Sequence, residues 1–446
     1  MSKAEGKMLK RVVGASLIGS TIEWYDFFLY GVVAGIVFNH LYFPADDPFV
    51  STLLAYVTFA VGFVARPIGG IIFGHFGDKV GRKSMLILTL SIMGGSTVLI
   101  AFIPTYEQIG IWAPVCLLFL RIMQGIGLGG EWGGAVLMAY EHAPASRKGF
   151  YASFPQIGLS IGLLLASGVV GILSFTLSDA QFMAWGWRVA FGLSAALIFL
   201  GMWIRLNVSE SPEFAEVKGS KEESKMPIKE MWHNNTGNVL AGMGARYIDG
   251  VFFNVMGVFS ITYLTGTLQI SRTDALLGVS LAALVMCFFI PFFGHVSDRI
   301  GRTRTYWIGS LVTGFSALPA FWIMSQSGGN VTMIWLSIII PFGIFYAAVY
   351  GPEAALFAEL FDARVRYTGM SFVYQFSGIF AGGLTPIIAT TLLNYNNGNP
   401  LMLTLYVVFA GVVSAISVKW INLRQASPVS QDIDKGSDKG IEPTGS

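Results

Sequence analysis

Apolar residues in this chain gather into long unbroken runs rather than alternating singly or forming one stripe per helix. A helix needs about 20 mostly apolar residues to cross a hydrocarbon core about 30 Å thick. Twelve stretches meet that length: 12–38, 50–74, 84–104, 112–141, 149–174, 186–207, 238–264, 274–293, 305–325, 331–358, 367–392 and 401–424. The pattern predicts an all-α membrane protein of twelve transmembrane helices. The first run is too long for a cleavable signal and contains Glu23 and Asp26. The polar stretch 208–236 reads as a cytoplasmic linker between two six-helix bundles, 1–207 and 237–424. Residues 425–446, rich in Ser, Gly, Asp and Lys, read as a disordered cytoplasmic tail.

Composition agrees with the pattern. Hydrophobic residues make up 54% of the 446, and charged residues only 12%, against roughly a quarter charged in soluble domains. Of the 28 Lys and Arg, 23 fall in the amino-terminal segment, the tail and alternate loops, one (Arg272) falls in the opposite loops, and Arg66, Arg121, Arg188 and Arg246 lie inside or at the edges of runs. This asymmetry places both termini in the cytoplasm. A net charge of +2 argues against nucleic acid as a partner. Cys116 and Cys287 both lie in apolar runs, so no disulfide framework or metal site is expected, and no cofactor.

Gly74-His75-Phe76-Gly77-Asp78-Lys79-Val80-Gly81-Arg82 recurs as Gly294-His295-Val296-Ser297-Asp298-Arg299-Ile300-Gly301-Arg302, an offset of 220. Gly149 after Arg147-Lys148 and Gly369 after Arg366-Tyr367-Thr368 keep that offset. Two coincidences at one offset argue for a duplicated six-helix unit. Because six is even, both halves enter the membrane from the same side, as a parallel repeat.

Residues 74–83 and the segment Arg121-x-x-Gln124-Gly125-x-x-x-Gly129-Gly130 resemble signatures of the major facilitator superfamily. Glu23-Trp24-Tyr25-Asp26-Phe27-Phe28, Ala65-Arg66-Pro67-Ile68-Gly69-Gly70, Gly130-Glu131-Trp132-Gly133, Trp185-Gly186-Trp187-Arg188, Glu210-Ser211-Pro212-Glu213 and Arg366-Tyr367-Thr368-Gly369 resemble its metabolite:H⁺ symporters, closest to the shikimate branch. Asp362 and Asp249 depart from the pattern, standing where many members have Pro and Glu respectively. The resemblance implies two bundles working by alternating access in a bacterial inner membrane, as a monomer.

Charges inside membrane spans cost about 2.5–3.5 kcal/mol each on insertion scales, so they are functional candidates. Asp26 lies about 21 Å along the first helix from its cytoplasmic start, and Arg121 about 14 Å along the fourth from its outer start. The resemblance implies that the two pair. A substrate carboxylate competing for Arg121 would then release Asp26 to take a proton. A permanent salt bridge between the helices is the alternative. Glu23 and Glu131 are further candidates for proton coupling, or structural carboxylates. Arg121, Gln124, Tyr30, Gln156, Arg246, Tyr247, Asn254, Tyr350 and Gln375 are candidate substrate ligands. Arg246 and Asp249 are also able simply to neutralise each other. Arg66 is read as a structural ion pair, and Arg188 as an interfacial anchor.

The two Asp-Lys/Arg-x-Gly-Arg loops are too shallow and basic for a substrate site. By resemblance, Asp78 and Arg82 with Glu141, and Asp298 and Arg302 with Glu359, form a cytoplasmic latch. Gly125, Gly129 and Gly133, and Gly378 and Gly382, are spaced by four, so they allow close helix contacts on which one bundle could rock, or serve packing alone. No Walker A segment, Gly-x-Ser-x-Gly elbow or His-Glu-x-x-His pair occurs, so a primary pump or an enzyme is not expected. The fifth helix lacks the Gly-Pro pair usual in superfamily antiporters, which disfavours efflux. The expected function is proton-coupled uptake of a small organic acid such as shikimate. A proline- or betaine-like zwitterion and a di- or tricarboxylate are the alternatives.

Overall fold

The structure is a computed structural model that describes residues 3–80, 82–129, 132–207, 227–361 and 366–425. Within those ranges, some side chains, including those of Asp78 and Arg82, fall outside the description. Glu131, Asp362, most of the expected linker and the expected tail beyond residue 425 also lie outside the described residues.

The described chain is helical. Its long helices are α1 (Arg11–Leu41), α2 (Pro48–Phe73), α3 (Arg82–Ile100), α4 (Trp112–Glu141), α5 (Ala145–Thr176), α6 (Asp179–Trp203), α7 (Asn235–Thr267), α8 (Arg272–Ile300), α9 (Arg302–Gln326), α10 (Val331–Glu359), α11 (Thr368–Tyr395) and α12 (Leu401–Ile421). Eleven are long and apolar enough to span a bilayer by themselves. The exception is α3, whose apolar part is described only over Ile87–Ile100. In hydrocarbon, backbone N–H and C=O groups must be satisfied within the segment, which is why these apolar runs form helices. The expected linker differs from the sequence reading at its end. From Pro227 the chain is already helical, with a break at Asn235 (φ −127°, ψ 19°) before α7 enters its apolar run. Proline suits a first helical position, where its missing N–H has no partner to lose.

Within the first half α1 packs on α5, α2 on α4, and α3 on α4 and α6; in the second, α7 packs on α11 and α12, and α9 on α12. Contacts between the halves run along α5–α8 and α2–α11. Those two contacts exchange when the halves are swapped, as the 220-residue repeat requires. The repeat extends to backbone irregularities: α1 has a π-helical turn at Ala34–Phe38 and α7 one at Val255–Phe259. The α5–α8 seam is backbone-close, since a Cβ added to Gly149 would lie 2.7 Å from the Gly294 carbonyl oxygen. Gly301 ends α8 at φ 97°, a conformation that L side chains rarely adopt, which explains a glycine in that tight loop.

The glycine reading divides. Gly378 and Gly382 of α11 do face the other half, where an added Cβ on Gly382 would sit 2.5 Å from the Phe63 ring of α2. Gly125 and Gly129 instead pack on the backbone of Gly62 and Arg66 in their own half. They lock α4 to α2 and provide no sliding surface between halves.

Candidate functional site

In the first half, α1 presents Glu23, Asp26 and Tyr30, all buried. Asp26 Oδ1 accepts a hydrogen bond from the Ser194 hydroxyl of α6 at 2.6 Å, and Oδ2 has no hydrogen-bond partner. Arg121 does not reach this carboxylate. It donates to the Gln124 side-chain oxygen and to the Phe59 carbonyl (3.4 Å). Gln124 in turn donates to the Asp26 main-chain oxygen (3.1 Å) and to Thr97 (2.8 Å). The expected Asp26–Arg121 pair is thus replaced by a bridge through Gln124. Arg121 spends its charge on rings, lying 4.3 Å from the Tyr30 centroid and 4.6 Å from Phe27. Tyr30 donates to Thr58 at 2.7 Å.

Arg66 of α2 lies 4.1 Å from the centroid of Phe27, so two guanidiniums share that ring. Its Nε and one terminal nitrogen have no hydrogen-bond partner, nor does Arg121 Nε. Electrostatically Arg66 is most strongly coupled to Glu23. Buried N–H donors of a cation without acceptors are costly, and a bound carboxylate would satisfy them.

In the second half, Arg246 of α7 lies 3.5 Å from Asp249 and 3.7 Å from Glu353 of α10. It also donates to the Tyr374 carbonyl (2.9 Å) and Ser377 (3.3 Å), and its guanidinium carbon is 3.5 Å from the Tyr374 centroid. Tyr374 stacks on Trp132 of α4 at 3.6 Å, across the halves. Around this stack Gln375 donates to the Gly129 carbonyl at 3.1 Å, and Trp132 donates to Gln156 at 3.1 Å. Gln156 reaches the Tyr350 carbonyl at 3.5 Å. Asn254 donates to Gly250 of its own helix, and its Oδ1 has no partner. Tyr247 is not brought to this cluster. Its hydroxyl meets Tyr406 of α12 at 3.3 Å, because consecutive helical residues point about 100° apart.

At the end of the bundle that carries the Gly301 loop, Asp298 accepts hydrogen bonds from the Gly149 and Phe150 N–H groups (2.8 and 2.9 Å) at the start of α5. Arg302 holds Asp298 at 3.0 Å and Glu359 at 2.6 Å. Glu141 lies 3.8 Å from Arg366 of the other half. At the opposite end, Tyr56 meets Thr262 at 2.6 Å, and Arg272 lies 3.3 Å from Asp179. Among the described residues both ends are bridged, and the central polar residues are 5% exposed or less. Arg188 is more than a surface anchor. It donates at 2.7 Å to the carbonyls of both Ala101 and Ile103, where α3 ends.

The model of the sugar (and other) transporter family matches residues 12–243, and that of the major facilitator superfamily matches residues 242–443. The shikimate transporter of Escherichia coli (strain K12) is 37% identical over 410 residues, covering 92% of this chain and 93% of its own. The chain belongs to the major facilitator superfamily. An inner membrane metabolite transport protein of the same organism is 40% identical, with 87% and 89% covered, and its proline/betaine transporter is 30% identical, with 98% and 89% covered. The solved D-xylose–proton symporter superposes with a TM-score of 0.72 at 18% identity, over 92% of this chain and 96% of its own. This major facilitator transporter is therefore a multi-pass protein of the bacterial inner membrane.

Sequence reading of the transporter gave no role to Ser194 and Thr97, the hydroxyls nearest Asp26 and Gln124, and no pattern in their apolar helices marks them. Trp132 and Glu353 were legible. Trp132 lies within a quoted family segment, and Glu353 shares a helix face with Tyr346 and Tyr350 at spacings of four and three.

Removing the Asp298 acceptors tests the expected cytoplasmic latch. Asp298→Ala leaves two first-turn N–H groups without their acceptor and Arg302 with Glu359 alone. A charge-assisted hydrogen bond is worth about 1.5–3 kcal/mol, so the inward-facing population is expected to rise roughly tenfold or more. Labelling of Cys introduced by Ser153→Cys, in a background lacking Cys116 and Cys287, should become correspondingly faster. Unchanged labelling would mean that the contact does not hold the cytoplasmic side shut.

Proposed function

We propose that the chain takes up a small monocarboxylate of the shikimate type together with protons, by alternating access between its two six-helix bundles, 1–207 and 237–424. The observation that carries this reading is the set of unpartnered guanidinium nitrogens of Arg66 and Arg121 around Phe27, close to Asp26, a buried carboxylate with one free oxygen. The free donors suit one carboxylate, and Asp26 supplies a proton acceptor in the same half. Gln124, Tyr30, Gln156, Tyr350 and Gln375 offer polar groups for hydroxyls, and Arg246 and Asn254 belong to the facing half. Glu23 and Glu131 are secondary candidates for the proton. Asp298, Arg302, Glu359 and Glu141, with Asp78 and Arg82, serve as the cytoplasmic latch. The protein works as a monomer with both termini in the cytoplasm.

A second reading, symport of a zwitterion, is favoured by the buried carboxylates Glu23, Asp26, Asp249 and Glu353 and by the proline/betaine transporter among the relatives. Proteoliposome uptake of labelled shikimate under an inward proton gradient tests the first reading. Accumulation abolished by a proton ionophore, and competed by other hydroxy acids but not by glycine betaine, is the expected result. Competition by betaine alone would favour the second reading.

A further inference from the structure

The Asp249, Glu353 and Arg246 cluster has two carboxylates for one guanidinium. All three are buried, at 3%, 0% and 4% exposure. Arg66 of the facing half feels Glu23 as an opposite charge and Arg246 as a like charge. Among the described residues, the groups that contact the pair from neighbouring helices are neutral phenols. Tyr346 of α10 donates to Asp249 Oδ1 at 2.5 Å, and Tyr306 of α9 donates to Glu353 Oε2 at 3.2 Å. Tyr374 of α11 and Tyr350 of α10 complete the shell. With both carboxylates ionised, the cluster would bury one uncompensated negative charge, which is costly in this setting. The two carboxylates are not equivalent. Asp249 has the Tyr346 hydroxyl and the closer approach to Arg246, whereas Glu353 Oε1 has no hydrogen-bond partner.

We propose that Glu353 carries a second coupled proton in the transporter, shared with Asp249 across Arg246. Placement gives this proton a route. Glu353 lies six residues, about 9 Å along α10, from Glu359 at the cytoplasmic end. The Arg246–Tyr374–Trp132 stack stands between the cluster and the opposite half. Inward opening separates Trp132 from Tyr374, because they belong to different halves. That admits water to Glu353, and its O–H proton passes to cytoplasmic water. The carboxylate left behind draws Arg246 more strongly, away from the Tyr374 ring. The proton itself is independent of what is carried; its role in uptake rests on the proton-coupled reading above.

Two measurements separate these claims. Infrared difference spectra of the purified protein between acid and alkaline pH need no substrate. The carbonyl stretch of a protonated carboxyl group should lose one titrating component in Glu353→Gln and a different one in Asp26→Asn. Asp249→Asn should shift the Glu353 component, and this arm holds should Glu353→Gln fail to fold. A spectrum in Glu353→Gln identical to the parent's overturns the proposal. In proteoliposomes clamped at an inside-negative potential with no pH gradient, two protons per monocarboxylate move one positive charge. Uptake of labelled shikimate should be stimulated severalfold in the parent and not at all in Glu353→Gln. Equal stimulation in both overturns the coupled role. Absent shikimate uptake by the parent, alongside the infrared result, would reject the substrate reading and leave the proton site standing.

Discussion

Replacing Asp26 by Asn is expected to abolish uphill accumulation while sparing substrate exchange. The side chain is fully buried, and one oxygen accepts from Ser194. Asn keeps that acceptor and nearly the same volume, so the packing of α1 against α6 should survive. What it removes is the carboxylate's ability to gain and lose a proton at this position. Among the described residues no guanidinium pairs with Asp26; Arg121 reaches Gln124 instead. A buried carboxylate without a cation is stable in the closed protein only while it carries a proton. Asn mimics that proton-loaded form permanently. A carrier in that form reorients loaded or empty, and substrate taken up leaks back. Each coupled proton is worth about 1.36 kcal/mol per pH unit, or about tenfold in concentration ratio. With protons on both Asp26 and Glu353, labelled substrate in liposomes with a one-unit gradient at zero membrane potential should reach about a hundredfold in the parent and only equilibration in the variant. Counterflow exchange should continue in both. Equal accumulation would remove Asp26 from the coupling step.

How much of this was legible beforehand depends on which physical scale sets each feature. Apolar run length reports a one-dimensional quantity, membrane thickness, so the spans were readable, and the repeat placed α2–α11 and α5–α8 in equivalent positions. Depth along a helix is similarly readable, and Asp26 and Arg121 do lie in one polar network. Their pairing was not readable, because helix rise fixes height and leaves open which neighbour a long side chain meets. Gln124, one turn below Arg121, intercepts it. Arg246 and Tyr247 were both read as facing the cavity, although adjacent helical residues cannot share a face; only Arg246 turns inward. The glycines at spacing four in α4 announced a close contact correctly, but spacing carries no address. Their partner proved to be α2 of the same half. Glu353 was visible on its helix face, whereas its meaning depends on Arg246, more than a hundred residues away in sequence.

Arg121→Lys should reduce transport by roughly tenfold to a hundredfold although the charge is retained. The guanidinium is flat, and the site is built for a flat group. Its central carbon lies among Tyr30, Phe27 and Phe59, at 4.3, 4.6 and 5.0 Å from their ring centroids. A Cβ on Gly62 would fall 2.4 Å from Arg121 Nε, so the chain leaves room there by having no side chain. Lysine presents a compact ammonium that does not stack as a plane and cannot hold a carboxylate in a two-pronged fork. It is also shorter in donor reach. One ammonium cannot serve Gln124, the Phe59 carbonyl and an incoming carboxylate in the directions that the guanidinium covers. Losing one charged hydrogen bond costs about 1.5–3 kcal/mol, which sets the expected range. Gln124, freed of Arg121, also loses the contact that orients its amide towards Asp26 and Thr97, so coupling should loosen as affinity falls. Uptake kinetics and accumulation ratio measured on one preparation, with size-exclusion profiles matched to the parent, check both effects. Affinity and rate within twofold of the parent would mean that Arg121 contributes only its charge. The carboxylate would then have to be held elsewhere, with Arg66 the next guanidinium on the same ring.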